Sequence, residues 1–138
     1  MARFRTDGLD DLMQEMMRMG EDTGPIADRI LLAGAEVIRR CWKIAAESHG
    51  HRDTGDMIKS INYAKKPKTV KGLKTIDIYP QGKNKNKVRN AEVAFILHYG
   101  SSKLPGSHWI DDADDMSAPE VESVASEIWN EELRKRGL

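Results

Sequence analysis

Between Thr23 and Glu47, apolar side chains recur at Ile26, Ile30, Ala33, Val37, Cys41 and Ile44. That spacing places them on one face of a 3.6-residue helix. Thr23-Gly24-Pro25 supplies a start signal, with proline in the first turn and Asp28 near the positive end of the dipole. Ser48-His49-Gly50-His51 ends the run. A helix of this span is about 35 Å long. In a chain of 138 residues it has to be the spine of the core.

The rest of the chain must cover that spine. Residues 8–19 carry Leu9, Leu12, Met13, Met16 and Met17 at the spacing of a second, short helix, which docks on its own domain or on a neighbour. Residues 1–22 are therefore expected to form an N-terminal helical arm. Thr54–Ile61 reads as a helical turn capped by Asp53 or Thr54, with Met57, Ile58 and Ile61 inward. Strands are expected at 61–64 and 75–79, where Ile76 and Ile78 alternate with Thr75, Asp77 and Tyr79. Lys65-Lys66-Pro67-Lys68 between them reads as a basic turn, and 81–90 as a mobile basic loop. Ala91–Tyr99, apolar on both faces and stopped by Gly100, reads as a central strand. An irregular stretch is expected over 101–116. A last helix then starts at the capping box Ser117-Ala118-Pro119-Glu120, with Val121, Val124, Ala125, Ile128 and Leu133 as its stripe and Gly137 as its end. The fold class is α+β: one domain over 1–138, with a small antiparallel sheet packed against a long N-terminal-half helix and a C-terminal helix.

Charge is unevenly placed. The chain has 22 basic and 22 acidic side chains. Yet residues 59–89 hold ten basic groups against Asp77 alone, and 111–138 hold nine acidic against three basic. One basic and one acidic pole suit head-to-tail association of copies, or a bridge between unlike partners. The single cysteine, Cys41, excludes an intramolecular disulfide framework and a cysteine-based zinc finger. No apolar run has the length of a membrane span, and the first residues lack a signal-peptide core. A soluble protein made in the cytoplasm, with no membrane partner, is the expectation.

Candidate chemistry is sparse. His49-x-His51 with His98 or His108 is a possible metal set, weighed against the polar end of a helix. Asp111-Asp112-Ala113-Asp114-Asp115 is a possible divalent-cation site without EF-hand spacing, weighed against a solvated acidic face or a contact for a basic partner. Cys41 lies on the apolar stripe and reads as a small buried hydrophobe. Neither a Ser/His/Asp order nor a phosphate-binding loop nor a dinucleotide fingerprint is present. No enzyme, no cofactor, no catalytic residue and no metal are expected. The basic run of Lys65, Lys66, Lys68, Lys71, Lys74, Lys83, Lys85, Lys87 and Arg89 offers a solvated face, an acidic-protein contact or a phosphate-binding surface.

Two stretches together carry a family resemblance. Thr54-Gly55-Asp56-Met57-Ile58-Lys59-Ser60-Ile61 resembles a TG-x-L-x-x-S-I signature. Ala94-Phe95-Ile96-Leu97-His98-Tyr99-Gly100-Ser101-Ser102-Lys103 resembles A-x-x-x-E-F-G-T-x-K, and Leu104-Pro105-Gly106-Ser107-His108-Trp109-Ile110 resembles the P-x-x-P-F-L that follows it. These are the signatures of the tail-component family of long-tailed bacteriophages and prophages, the gene-product-ten-like family of lambdoid phages. His98 stands for the usual Glu, Tyr99 for Phe, Ser101 for Thr, His108 for the second Pro and Trp109 for Phe. The matched residues are Thr54, Gly55, Met57, Ser60, Ile61, His98, Tyr99, Gly100, Ser101, Lys103, Pro105 and Trp109. The resemblance implies a virion structural protein at the head–tail junction. Its partners would be copies of itself in a ring, other neck and tail proteins, and DNA in the channel. Lys83, Lys85, Lys87, Arg89, Asp111, Asp112, Asp114 and Asp115 are the candidate contacts with those partners or with DNA. The alternative is a nucleic-acid-binding module using the Lys-rich 65–89 region. An aromatic on the arm at Trp109 fills either its own core or a neighbour's pocket.

Overall fold

The computed structural model describes residues 2–5, 14, 24–53 and 55–137. Strand β1 (Ala2–Arg5) comes first, followed by helix α1 (Gly24–Ser48), the short helix α2 (Asp56–Ser60), β2 (Ile61–Tyr63), β3 (Lys68–Val70), β4 (Leu73–Pro80), helix α3 (Asn90–Tyr99) and helix α4 (Trp109–Lys135). The architecture is α+β, an antiparallel sheet packed with the two long helices α1 and α4. The helical reading of 8–19 lies outside the described residues, and Ala2–Arg5 of the expected helical arm is an extended strand.

Helix α1 forms where the apolar periodicity places it. Its buried face is wider than one stripe, because the sheet covers one side and α4 another. Leu31, Ile38, Trp42 and Ala46 are buried alongside Ile26, Ile30, Val37 and Cys41. Ile44, expected inward, is exposed, and Ala33 is only half-buried. Helix α4 runs antiparallel to α1. Arg29 pairs with Glu131 and Glu132 at one end, each at 2.9 Å, Arg40 pairs with Glu120, and His49 lies 2.6 Å from Asp112 at the other end. These pairs fix the register on the surface, and the apolar area between the helices supplies the stability.

β4 is the centre of the sheet. β1 lies on one side, Ala2 opposite Ile78 and Arg5 opposite Thr75. β2 and β3 share the other side, Ile61 opposite Pro80 and Val70 opposite Leu73. The two-residue turn between β3 and β4 is Lys71-Gly72, both at positive φ (52° and 81°), which matches the twist of an antiparallel hairpin. From Ile76 to Tyr79 the expected alternation holds, with Ile76 and Ile78 buried towards α1 and Asp77 and Tyr79 half-buried, but Thr75, expected on the other face, is buried as well. β3 was not expected: it starts at Lys68, the last residue of the expected basic turn, and its Lys68-Thr69-Val70 continues the pairing with β4 past the interruption at 64–67.

Two further expectations fail, each over a whole element. Ala91–Tyr99 is not a strand but the body of α3. Both edges of β4 are already occupied, and an apolar run without alternation fits a helix equally well. Asn90, Ala94 and His98, four residues apart, form the buried side. The last helix does not start at Ser117. It starts at Trp109 and passes through Pro119. Ser117 is buried, and its hydroxyl donates to the Asp114 carbonyl (3.2 Å) as a mid-helix residue rather than as a cap. The helix holds through the proline because packing against α1 is continuous on either side. Trp109, Ile110 and Ala113 join the main core with Trp42, Ile76 and Ile78, while Ile128 joins Ile26 and Ile30 in a second cluster.

Candidate functional site

The first signature forms the junction between α1 and the sheet. Gly55 adopts φ 83° and occupies the N-cap position of α2 in place of the expected Asp53 or Thr54, with no side-chain cap; Thr54 lies outside the described residues. Met57, Ile58 and Ile61 are buried, and the Ser60 hydroxyl donates to the Met57 carbonyl (2.7 Å). This motif is structural: it turns the chain from helix into strand while burying three apolar side chains.

The second signature forms α3 and the arm folded over its end. The arm's N–H groups take the last helical carbonyls: Ser107 N–H donates to Leu97 O and His108 N–H to His98 O, both at 3.0 Å. Gly100 sits at φ 90°, and Gly106 passes directly over the helix end. A Cβ on Gly100 would come within 2.5 Å of the Gly106 nitrogen, and one on Gly106 within 2.4 Å of the His98 carbonyl oxygen. Both are contacts with backbone, which cannot move aside. Gly100 therefore ends a helix rather than a strand, and Pro105 pairs with it in an isolated bridge. Trp109 fills the chain's own core. It is fully buried, stands edge-on to Trp42 with ring centroids 5.4 Å apart, and donates its indole N–H to the Ala94 carbonyl (3.2 Å).

α3 has a second apolar side with no cover among the described residues. Glu92, Phe95, Ile96 and Tyr99 are exposed at positions i, i+3, i+4 and i+7, the stripe by which a helix buries itself. Phe95 is 39%, Ile96 50% and Tyr99 68% accessible, and Leu104 on the arm is 60% accessible. The Phe95 and Tyr99 rings stack on one another at 6.1 Å. Large apolar side chains are thus grouped at the surface with no described residue covering them.

Opposite charges flank this helix. The basic residues Lys83, Lys85, Lys87 and Arg89 precede its first turn. Their loop is a hydrogen-bonded turn: Lys83 bridges Arg89, the Asn84 N–H donates to Val88 O (2.8 Å), and the Asn84 side-chain oxygen accepts the N–H groups of Asn86 and Val88. The Lys85 N–H donates to Asp56, tying the turn to α2 (3.2 Å). At the other end, Asp111 on the first turn of α4 faces His98 and His108 (4.0 and 3.7 Å). Asp112, Asp114 and Asp115 follow, all exposed. Partial desolvation raises the Asp114 carboxyl above its ordinary value, and the Trp42 indole N–H opposes the rise without reaching hydrogen-bond geometry.

The longer basic run does not form one patch. Lys74 points to the helical layer and pairs with Asp28 (2.7 Å), and Lys68 pairs with Asp77 (2.9 Å). Lys71 is at the hairpin tip and Lys83 lies beyond the far end of β4, a strand about 23 Å long.

The histidines are drawn together only in part. His98, His108 and Asp111 place one ligand atom each within 4.8 Å of one another. However, Nδ1 of His98 accepts the Ile110 N–H (3.2 Å), so in the neutral ring Nε2, the atom facing Asp111, carries the proton. A metal ligand needs the lone pair there, so the tautomer does not fit ligation. His49 and His51 lie outside that group. They stack on each other, and His51 Nε2 contacts the Ser107 hydroxyl at 2.7 Å. Burial first, and His49 second, lower the His51 imidazole below its ordinary value. Cys41 is buried, which pushes its thiol up and away from nucleophilic chemistry.

A cleft of about 450 Å³ opens between the 50–56 segment, the 84–90 turn and α3. Much of its polar lining holds these segments together: Arg52 pairs with Glu47, His51 with Ser107, and the Asn90 amide donates to Gln81 O. The sequence missed the exposed stripe of α3 because it assigned 91–99 to a buried strand. The i, i+3, i+4, i+7 spacing was the available signal.

No family model, no curated protein and no solved structure matches the chain. No described helix is long and apolar enough to cross a membrane.

Proposed function

We propose that this chain is a structural protein of a tailed phage or prophage virion. It acts at the head–tail junction as a neck or tail-completion component, through ring-like self-association and contacts with neighbouring neck and tail proteins. Catalysis is not part of this reading. The observation that supports it is the placement of the second signature. Its residues build a helix and a braced arm that present Phe95, Ile96, Tyr99 and Leu104 to solvent. An outward apolar stripe on a helix whose end is locked by Gly100 and Gly106 has the character of a docking element. Charges of opposite sign at the two ends of the same ~15 Å helix give such a contact direction, which is what head-to-tail closure of a ring requires.

The test is replacement of Lys83, Lys85 and Lys87 by Glu in the phage or prophage that encodes the chain. The expected result is a folded protein with heads and tails left unjoined. Normal infectious particles would overturn the reading.

A further inference from the structure

The uncovered stripe of α3 has both an occupant and a direction. We infer that it seats on the first turns of α4 of a second copy, with the basic turn of one copy against the acidic helix start of the next. This rests on the reading of the chain as a self-associating virion component and specifies the contact.

Three features of the molecule carry it. First, the stripe is helical and apolar, and Phe95 and Tyr99 already stack into one surface at 6.1 Å. Aromatic and aliphatic side chains held on a rigid helix are what the centre of an interface is made from. Second, α4 offers an exposed side with the same helical spacing. Asp112, Asp115 and Met116 share one side at i, i+3 and i+4, all are exposed, and Met116 is an apolar contact within the carboxylates. Third, the charges complement. Lys83, Lys85, Lys87 and Arg89 bracket the start of α3 and make no ion pair with another described residue, whereas Asp111, Asp112, Asp114 and Asp115 gather four carboxylates at the start of α4. Asp112 meets His49 within its own chain at 2.6 Å and Asp111 lies near His98 and His108, whereas Asp114 and Asp115 make no ion pair with another described residue, so the cations of one surface and the carboxylates of the other complement each other between copies.

Because the two surfaces differ, the contact is heterologous. Each copy keeps one free surface of each kind until a ring closes. An isologous pairing of α3 with α3 would instead put identical surfaces together.

Two variants separate these geometries. Ile96→Asp with Tyr99→Ser removes the α3 surface and keeps that of α4. Asp115→Lys with Met116→Lys removes the α4 surface and keeps that of α3. All four positions are exposed, thermal melting verifies that each variant folds, and Lys83→Glu with Lys87→Glu is a second route to disabling the α3 side. Native mass spectrometry and sedimentation should find wild-type protein oligomeric. Each variant alone should associate at least about tenfold more weakly. Their equimolar mixture should form a 1:1 dimer that grows no further, since only one productive contact remains. A monomeric wild type, an α4 variant that associates like wild type, or a mixture that stays monomeric would overturn the inference. Particle assembly with the variants is read separately, so loss of this contact is distinguishable from loss of the virion role.

Discussion

Trp109 tests whether the arm after α3 belongs to its own core. The side chain is fully buried against Trp42, and its N–H donates to the Ala94 carbonyl. Truncation to alanine removes the burial of a large ring, which costs roughly 3–5 kcal/mol including the cavity left behind. The edge-on pair with Trp42 accounts for about 0.5–1.5 kcal/mol beyond burial. The hydrogen bond adds little, because Ala94 is within α3 and its carbonyl also faces the helical N–H four residues on. For a chain of 138 residues the unfolding entropy at the midpoint is about 0.29 kcal/mol/K. Trp109→Ala should therefore lower the midpoint by about 10–17 °C, and Trp109→Phe by about a third of that. The assay is thermal and urea unfolding of dilute protein, with Leu104→Ala as the exposed control, expected to move the midpoint by no more than about 2 °C. If Trp109→Ala left the midpoint of dilute protein unchanged, the ring would fill a neighbour's pocket, and the placement of the arm on α3 would be wrong.

Other perturbations have equally definite signs. Pro119→Ala should stabilise the chain by on the order of 1–3 kcal/mol in urea unfolding, because it restores a missing N–H inside a continuous helix; no gain would mean that a helix starts there instead. Gly106→Ala should destabilise by roughly 1–3 kcal/mol and speed hydrogen exchange at Ser107 and His108, whose N–H groups cap α3. Since the folded His51 imidazole is lowered, the unfolded chain binds the extra proton. That share of stability is complete above the ordinary value of 6.5 and declines as pH falls through it. His51→Gln should flatten the fall in stability between about pH 7 and about pH 5, measured by urea midpoints. The raised Asp114 carboxyl has the opposite sign, favouring the folded state at low pH, so Asp114→Asn should raise the melting point at neutral pH and do less at pH 3, near its ordinary value of 3.8.

The sequence was most informative where one period dominates. The recurrence from Ile26 to Cys41 admits only a helix, and the alternation of Ile76 and Ile78 with Asp77 and Tyr79 reads as a strand, although Thr75 beside it is buried too. It was ambiguous where a segment is apolar in two directions. Val93, Ala94 and Leu97 face the core while Phe95, Ile96 and Tyr99 face out, so 91–99 has no single period, and its length suits either state. The start of α4 was hidden by a local rule that tertiary packing overrides. Ser117-x-Pro119-Glu120 is a good helix opening, but Trp109, Ile110 and Ala113 extend the same helix backwards along α1. β3 was hidden in its lysines, although Lys71-Gly72 between Val70 and Leu73 is a hairpin turn signal. Of the candidate site, the charged poles were legible as composition. The surface between them was not, because exposure depends on which side of α3 the rest of the chain covers.

The most direct test of self-association by a head-to-tail, charge-complementary contact is sedimentation equilibrium of the wild-type chain, from micromolar to millimolar concentration, at about 0.1 M and about 1 M salt. Raising the salt shortens the Debye length from about 10 Å to about 3 Å, weakening contacts between the basic turn and the acidic helix start while leaving apolar burial in place. The account predicts a discrete closed oligomer at low salt whose association weakens, without being abolished, at high salt. A monomer at every concentration in both salts would contradict it.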